Sequence, residues 1–384
     1  MKNIGITAFS NEKTGGVLQY TQSLIDVLNT YSEFNLIIFV FKEGVFETGK
    51  SEVRVISVPK RNWYKRSIML IQSLINFRSE WIMSKSELSV FNDIDFFINP
   101  TNSLFPTFFL NKPFIFTVHD FQERYYPEFF SRVDRFNRWV VKRALAKSSN
   151  HIICESNNVK NDVIKFLKAN QKDVFVIPSP PTKIFTEYIP DEKSSIHVKV
   201  KYKLPDQYIF YPAQSWKHKN HIRLISAFKK ISKDNPNLYL VLTGAKTNNY
   251  FNIIKKIKSL GIENKIIHLG YVNNSDLPYL YKLSTMLILP TLFESISIPI
   301  YEAFSLGVPV CCSNILALPE QTMGAAILFD PSSVDDIVIK IQLLLDNPGL
   351  QISLGEKGKD VIENFNYINY KNQYDNLITS SLSS

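Results

Sequence analysis

Two glutamates flank one proline in "TLFESISIPIYEAFSLGVPV" (291–310): Glu294 and Glu302, with Pro299 between them. The strand-like "MLILP" comes just before, and Pro299 suits the first turn of a helix. Glu294 then falls in a strand-to-helix loop and Glu302 about one turn into the helix. Between them lie the backbone N–H groups of Ser295, Ile296 and Ser297. N–H groups at a helix start bind anions, whereas carboxylates repel phosphate and accept strongly from hydroxyls. A ligand with hydroxyls at both ends and a diphosphate in the middle, a nucleotide-sugar, fits this layout. Glu302 would take the ribose and Glu294 the sugar. An exposed helix glutamate and a plain loop charge fit the same spacing.

Three other stretches offer chemistry. In "TGGVLQY" (14–20), Gly15 and Gly16 follow a strand and open a helix, so the backbone can approach an anion or simply turn. The G-x-G-x-x-G dinucleotide spacing is absent. "FTVHDFQERYYPEFF" (116–130) sets His119 and Asp120 at the carboxyl end of an apolar strand. His119 there could bond a substrate hydroxyl or serve the structure. "YPAQSWKHKNHIRLISAF" (211–228) crowds Lys217, His218 and Lys219 at a helix start beside Trp216. Lysine opposes the helix dipole at that end, and a bound anion relieves the repulsion. Lys219 is read as a phosphate contact and Lys217 as a surface lysine or a helper. His218 and His221 lack a third nearby ligand, so no metal is expected.

The elements that must position these residues alternate. "NIGITAF", "NLIIFVF", "VRVISVP", "DIDFFINP", "PFIFTVHD", "SNHIICES" and "VFVIPSP" are short apolar runs with helical spacing between several of them. Residues 179–206, rich in proline and mixed charge, read as a linker. A second series runs through "QYIFYPA", "LYLVLTG", "KIIHLGYV", "TMLILPT", "VPVCCS" and "AAILFDP", with Ser275 proposed to cap the helix in "SDLPYLYKLS". Continuous apolar strands separated by helices are parallel sheets covered on both faces. Two doubly wound α/β domains facing each other across a cleft are expected, with ligands at the carboxyl ends of the strands.

At 384 residues, with 45% hydrophobic and 21% charged, the chain is globular and long enough for two cores. Three cysteines form no disulfide framework, which indicates a reducing compartment. The first residues lack the apolar core of a signal peptide, and no apolar run reaches membrane-span length. The net charge of +9 is concentrated in residues 50–87 and 132–147. No nucleic-acid reading motif accompanies it, so lipid or sugar-phosphate partners are expected over nucleic acid. In residues 60–85, Trp63, Tyr64, Lys65 and Arg66 suit either an acceptor site at a membrane surface or a solvated helix.

Through nearly its whole length the chain resembles the group 1, or family 4, retaining glycosyltransferases of the GT-B class. The E-x7-E element "FESISIPIYEA" is the most specific part, joined in order by "TGGVLQYTQSLIDVL", "TVHD", "YPAQSWKHKNHIRLISAF", "LGVPVCCSN" and "LPEQTMGAAILFDP". The resemblance implies two Rossmann-like domains: 1–185 for the acceptor and 200–365 for a nucleotide-diphosphate sugar donor. It also implies a C-terminal helix, 366–384, crossing back to the first domain. By motif position, Gly16 and Lys219 resemble the diphosphate contacts, His119 the histidine at the transferred sugar, and Glu294 and Glu302 the sugar and ribose binders. Two positions depart from the pattern. Ala213 stands where many members carry arginine, and Ser295 and Ser297 where many carry glycine. The "PAQ…HKNH" and "SIP" forms look like bacterial polysaccharide-assembly enzymes. The implied activity is transfer of a hexose, mannose or similar, from a UDP- or GDP-sugar to a saccharide or lipid-linked saccharide. No metal cofactor is implied, and the implied location is the cytoplasm or the inner face of the plasma membrane. A nucleotide-sugar epimerase and a non-catalytic sugar-nucleotide binder are the alternatives.

Overall fold

The computed structural model describes residues 1–10, 15–31, 33–56 and 63–383. Thr14 of the Gly-Gly turn and Lys60, Arg61 and Asn62 of the basic segment lie outside them. The chain forms two compact units, Met1–Ser179 with Tyr367–Ser384, and Pro180–Asn366.

In the first unit the strands are β1 (Lys2–Thr7), β2 (Phe34–Val40), β3 (Glu52–Val55), β4 (Phe96–Asn99), β5 (Phe114–Thr117), β6 (His151–Cys154) and β7 (Val174–Val176). They pair in parallel in the order β3-β2-β1-β4-β5-β6-β7. Alternate residues feed cores on opposite faces, because side chains of a strand alternate. Ile4, Ile6, Ile38 and Ile98 enter one core, and Ile37, Phe39, Phe97 and Phe116 the other. The C-terminal helix Tyr367–Ser383 seals the first of these with Tyr370, Tyr374, Leu377 and Ile378.

The second unit carries β8 (Gln207–Pro212), β9 (Leu238–Thr243), β10 (Ile266–His268), β11 (Met286–Leu289), β12 (Val310–Ser313) and β13 (Ala326–Phe329). Its parallel order is β10-β9-β8-β11-β12-β13. Both sheets are Rossmann-like and doubly wound, as expected. In each, the winding direction reverses between the first strand and the fourth: β1 beside β4, and β8 beside β11. Loops leaving such neighbours diverge and open a ligand crevice at the strands' carboxyl ends.

Two local expectations fail. Residues 179–206 are not a bare linker. They form the helices Lys183–Thr186 and Glu192–Lys201, and Phe185, Val198 and Leu204 are buried in the second core. The apolar residues are sparse enough to look like a connector, yet Phe185, Val198 and Leu204 each find hydrophobic partners. The units therefore divide at Ser179/Pro180 rather than over 185–200. Ser275 does not cap a helix. It lies in the 3₁₀ turn Asn274–Asp276, and the helix Leu277–Lys282 follows Asp276 with no side-chain cap.

Candidate functional site

In the second unit, Lys219 leaves β8 on the 3₁₀ turn Lys217–Lys219, and Glu294 leaves β11 in the loop before the helix Ile298–Ser305. These two loops diverge at the switch point and are stitched together at its floor. The His218 carbonyl accepts from Leu292 N at 2.7 Å and from Thr291 Oγ1 at 3.2 Å. Asn220 adopts the left-handed conformation, φ 59°, which asparagine tolerates better than most residues. From there its buried Nδ2 donates to the carbonyls of Pro290 at 2.8 Å and Pro331 at 2.9 Å. Tyr211 Oη donates to the Lys219 carbonyl at 2.6 Å. On this fixed backbone Lys219 Nζ meets Glu294 Oε2 at 2.7 Å, both side chains partly buried.

Pro299 occupies the first turn of the helix Ile298–Ser305, and Glu302 is buried in its next turn. Glu302 Oε2 accepts from buried Tyr281 Oη at 2.5 Å. An exposed surface glutamate is thereby excluded at this position. Burial first, then the neighbouring carboxylate, pushes the Tyr281 phenol well above its ordinary pKa, so it remains a donor.

The three loop amides are not equivalent. The Ser297 N–H, expected to face an anion, instead donates to Gln321 Oε1 at 2.8 Å, while Gln321 Nε2 returns a bond to the Ser297 carbonyl at 2.7 Å. A buried amide needs an acceptor, and Gln321 provides it. Ile296 N–H has no acceptor among the described residues. Lys217 is exposed beside exposed Trp216. His221 is a core histidine whose burial, aided by nearby His268 and Lys219, holds its pKa down to about 3.

In the first unit, Gly15 holds φ 56° and ψ −119°, a conformation only glycine adopts readily, and starts the helix Gly16–Leu28 without a side-chain cap. His119 follows β5, and its ring is enclosed. Nε2 lies 2.8 Å from the Pro100 carbonyl and Nδ1 3.2 Å from Glu155 Oε2. Tyr20 meets the ring edge-on at 4.9 Å. Tyr20 Oη shares hydrogen bonds with Thr117 Oγ1 at 3.0 Å and Tyr374 Oη at 2.7 Å. Burial disfavours the imidazolium, but the Glu155 carboxylate and the Pro100 carbonyl outweigh it and hold His119 above its ordinary pKa. Both ring nitrogens are then donors to protein acceptors. This differs from the expected hydroxyl contact, because the strand-end carbonyl and carboxylate already satisfy them.

Asp120 is likewise committed. Lys142 Nζ donates to its carbonyl at 2.6 Å and lies 3.7 Å from Oδ1. Burial raises its carboxyl pKa, and Lys142 and Arg138 more than reverse that. Sequence reading passed over Glu155, Tyr281, Asn220 and Gln321. The signals were a carboxylate closing the apolar run "HIIC" and a tyrosine in the apolar helix Leu277–Lys282; Asn220 and Gln321 carried none.

Trp63, Tyr64 and Arg66 are exposed on the helix Trp63–Ile75, and Lys65 donates to the Ile82 carbonyl at 3.4 Å. The fully buried residues of this helix are the polar Gln72 and Ser73. Trp63, Ile71 and Ile75 are 79%, 55% and 67% exposed. Among the described residues no helix is long and apolar enough to cross a membrane, and no group of three His, Cys, Asp or Glu could hold a metal.

Comparison with known proteins agrees with this architecture. Residues 14–180 match Glycosyltransferase Family 4, and residues 192–361 match Glycosyl transferases group 1. Over 172 residues the chain is 34% identical to O-antigen chain mannosyltransferase B of Escherichia coli, covering 44% of this chain and 45% of that one. The chain thus aligns with less than half the length of that relative. The fold is similar to sucrose-phosphate synthase from Thermosynechococcus elongatus, with TM-score 0.80, 15% identity and complete coverage of both chains. It is also similar to Anabaena HepE in complex with UDP and glucose, with TM-score 0.79, 16% identity and coverage of 99% and 100%. With one family match on each doubly wound unit, the chain belongs to the group 1 and family 4 glycosyltransferases of GT-B fold.

Proposed function

We propose that the protein is a retaining glycosyltransferase moving a hexose from a nucleotide-diphosphate sugar to a saccharide or lipid-linked saccharide of a surface polysaccharide. The Lys219–Glu294 pair at the β8/β11 switch point carries this reading. A donor would separate the pair. Its diphosphate takes Lys219, exchanging one anionic partner for another, and the freed Glu294 accepts from the sugar hydroxyls. Glu302, backed by Tyr281, serves the ribose from a buried position.

In the reaction the bond from the anomeric carbon to the diphosphate oxygen breaks. A bond to the acceptor oxygen forms on the same face, and the acceptor proton passes to the leaving diphosphate. Lys219 and the Ile296 N–H stabilise the charge growing on that diphosphate. A lysine and a helix start supply this without a resident metal. The imidazolium of His119, fixed by Glu155 and Pro100, supplies positive potential at the end of β5 in the first unit.

Similarity to the E. coli mannosyltransferase favours mannose, and hence GDP-mannose as the first donor to test. UDP-glucose is the second, as the ligand of a HepE complex. Nucleoside diphosphate release from each, with EDTA present and with a lipid-linked acceptor extract, tests the reading. Release from one donor, increased by the extract, supports it. Binding without release would reduce the protein to a sugar-nucleotide binder.

A further inference from the structure

Apart from Lys142 and Arg138, which act on Asp120, the basic stretch 132–147 has no part in the site above. It forms most of the helix Arg132–Ser148. A cavity of about 380 Å³ lies at the start of this helix, in the size range of small-molecule sites. Arg124, Arg132, Arg135, Phe136 and Trp139 line it, with Glu123.

The charge balance is one-sided. Glu123 is buried and already neutralised, with Lys142 Nζ at 2.8 Å from Oε1 and Arg138 Nη1 at 3.7 Å from Oε2. Asp134, in the first turn, accepts instead from Ser131 at 2.6 Å. Arg124 lies over the Phe166 ring at 5.6 Å. None of Arg124, Arg132 and Arg135 forms an ion pair among the described residues. Arg135 Nε is shielded from solvent and donates to nothing, a position that costs free energy until an acceptor arrives. Guanidinium forks match phosphate oxygens in pairs. The rings of Phe136 and Trp139, 6.0 Å apart, offer an apolar wall beside them.

Position adds a second constraint. Glu123 of the cavity lining accepts from Lys142, which also donates to the carbonyl of Asp120, the neighbour of His119. The helix Arg132–Ser148 also packs on the helix Trp63–Ile75, where Arg143 Nη1 donates to the Leu74 carbonyl at 2.9 Å. That neighbour presents the exposed Trp63, Ile71 and Ile75. The helix that carries the cavity thus packs on a helix with an exposed apolar face, and Glu123 of the cavity is linked through Lys142 to Asp120 beside His119.

We infer that this cavity binds a phosphoryl group, the diphosphate of an acceptor carried on an apolar chain. The role as acceptor rests on the transferase reading; the binding itself does not. The experiment is calorimetric titration of the full chain with geranyl diphosphate, with inorganic pyrophosphate and with phosphatidylglycerol vesicles. Hydrogen–deuterium exchange then locates the bound region. Geranyl diphosphate should protect residues 122–139, and the R132Q/R135Q variant should bind it about tenfold more weakly or worse. Pyrophosphate should bind more weakly than geranyl diphosphate at the same peptides. If the double variant unfolds, R132Q alone, at an exposed position, should still weaken binding severalfold. Equal affinity in a folded variant, or protection confined to residues 211–300, overturns the proposal. A variant that loses vesicle binding but keeps geranyl diphosphate also overturns it, in favour of a headgroup contact. Because binding is read without turnover, a protein inactive on every donor can still pass or fail this test.

Discussion

Lys219 and Glu294 satisfy each other at 2.7 Å, and this makes each one's role separable by mutation. In Lys219→Ala the diphosphate loses its cation, and donor-dependent nucleoside diphosphate release should fall about 10²–10³-fold. The midpoint of thermal unfolding should also fall, because the pair is largely buried and the variant leaves the Glu294 carboxylate without its cation. Unchanged release in Lys219→Ala would remove the assignment. His119 gives a pH prediction. Its pKa in the fold is above the ordinary value. The stability this supplies is therefore full below about 6.5 and is lost as pH rises through the higher folded pKa. Glu155→Gln removes the carboxylate that sustains the shift, so the His119 ring protons should titrate at lower pH in the variant by NMR. The stability gap between wild type and variant should be wider at pH 5.5 than at pH 9. An unshifted titration would show that Glu155 does not hold the ring. The two E-x7-E glutamates and Lys219 were legible from residue type and spacing. Glu155 was not, since nothing local links a strand-end carboxylate to a histidine on the preceding strand.

At the scale of elements, tight crossings rather than propensities hold the site loops. Gly244 follows β9 with φ +112°, and a Cβ there would lie 2.7 Å from the carbonyl oxygen of Ala213, just beyond β8. Gly244→Ala should cost about 1–3 kcal/mol by denaturant unfolding, since both the backbone conformation and the contact are lost. The C-terminal helix is tied in by a buried hydrogen bond between Tyr374 and Tyr20. Tyr374→Phe removes it but leaves Tyr20 with Thr117, so the cost should be only about 0.5–1.5 kcal/mol. Strands and major helices could be read from apolar runs and their periods. The segment 179–206 could not, because Phe185, Val198 and Leu204 are too few and too far apart to show a period.

Over the whole molecule, exposed apolar side chains occur on both units, and several of them share one helix. The helix Trp63–Ile75 packs Ile68 and Met69 on the core and buries Gln72 and Ser73, yet it leaves Trp63, Ile71 and Ile75 exposed. Together with Arg66 it fits an anionic bilayer surface. Ile71→Glu with Ile75→Glu should abolish co-sedimentation with anionic vesicles while leaving nucleoside diphosphate release from the donor unchanged. Co-sedimentation that survives both changes would place membrane contact elsewhere.

Composition and spacing by themselves determined two doubly wound α/β units and singled out Lys219, Glu294 and Glu302 as candidates at the strand ends. Those properties follow from local periodicity and from chemistry carried within single loops. Which polar groups remain available was decided only by tertiary structure. Gln321 takes the Ser297 amide, Lys142 takes Asp120, and Pro100 with Glu155 takes both nitrogens of His119. Each of these partners lies on a separate element, and buried polar groups pair with whatever the packing brings within reach.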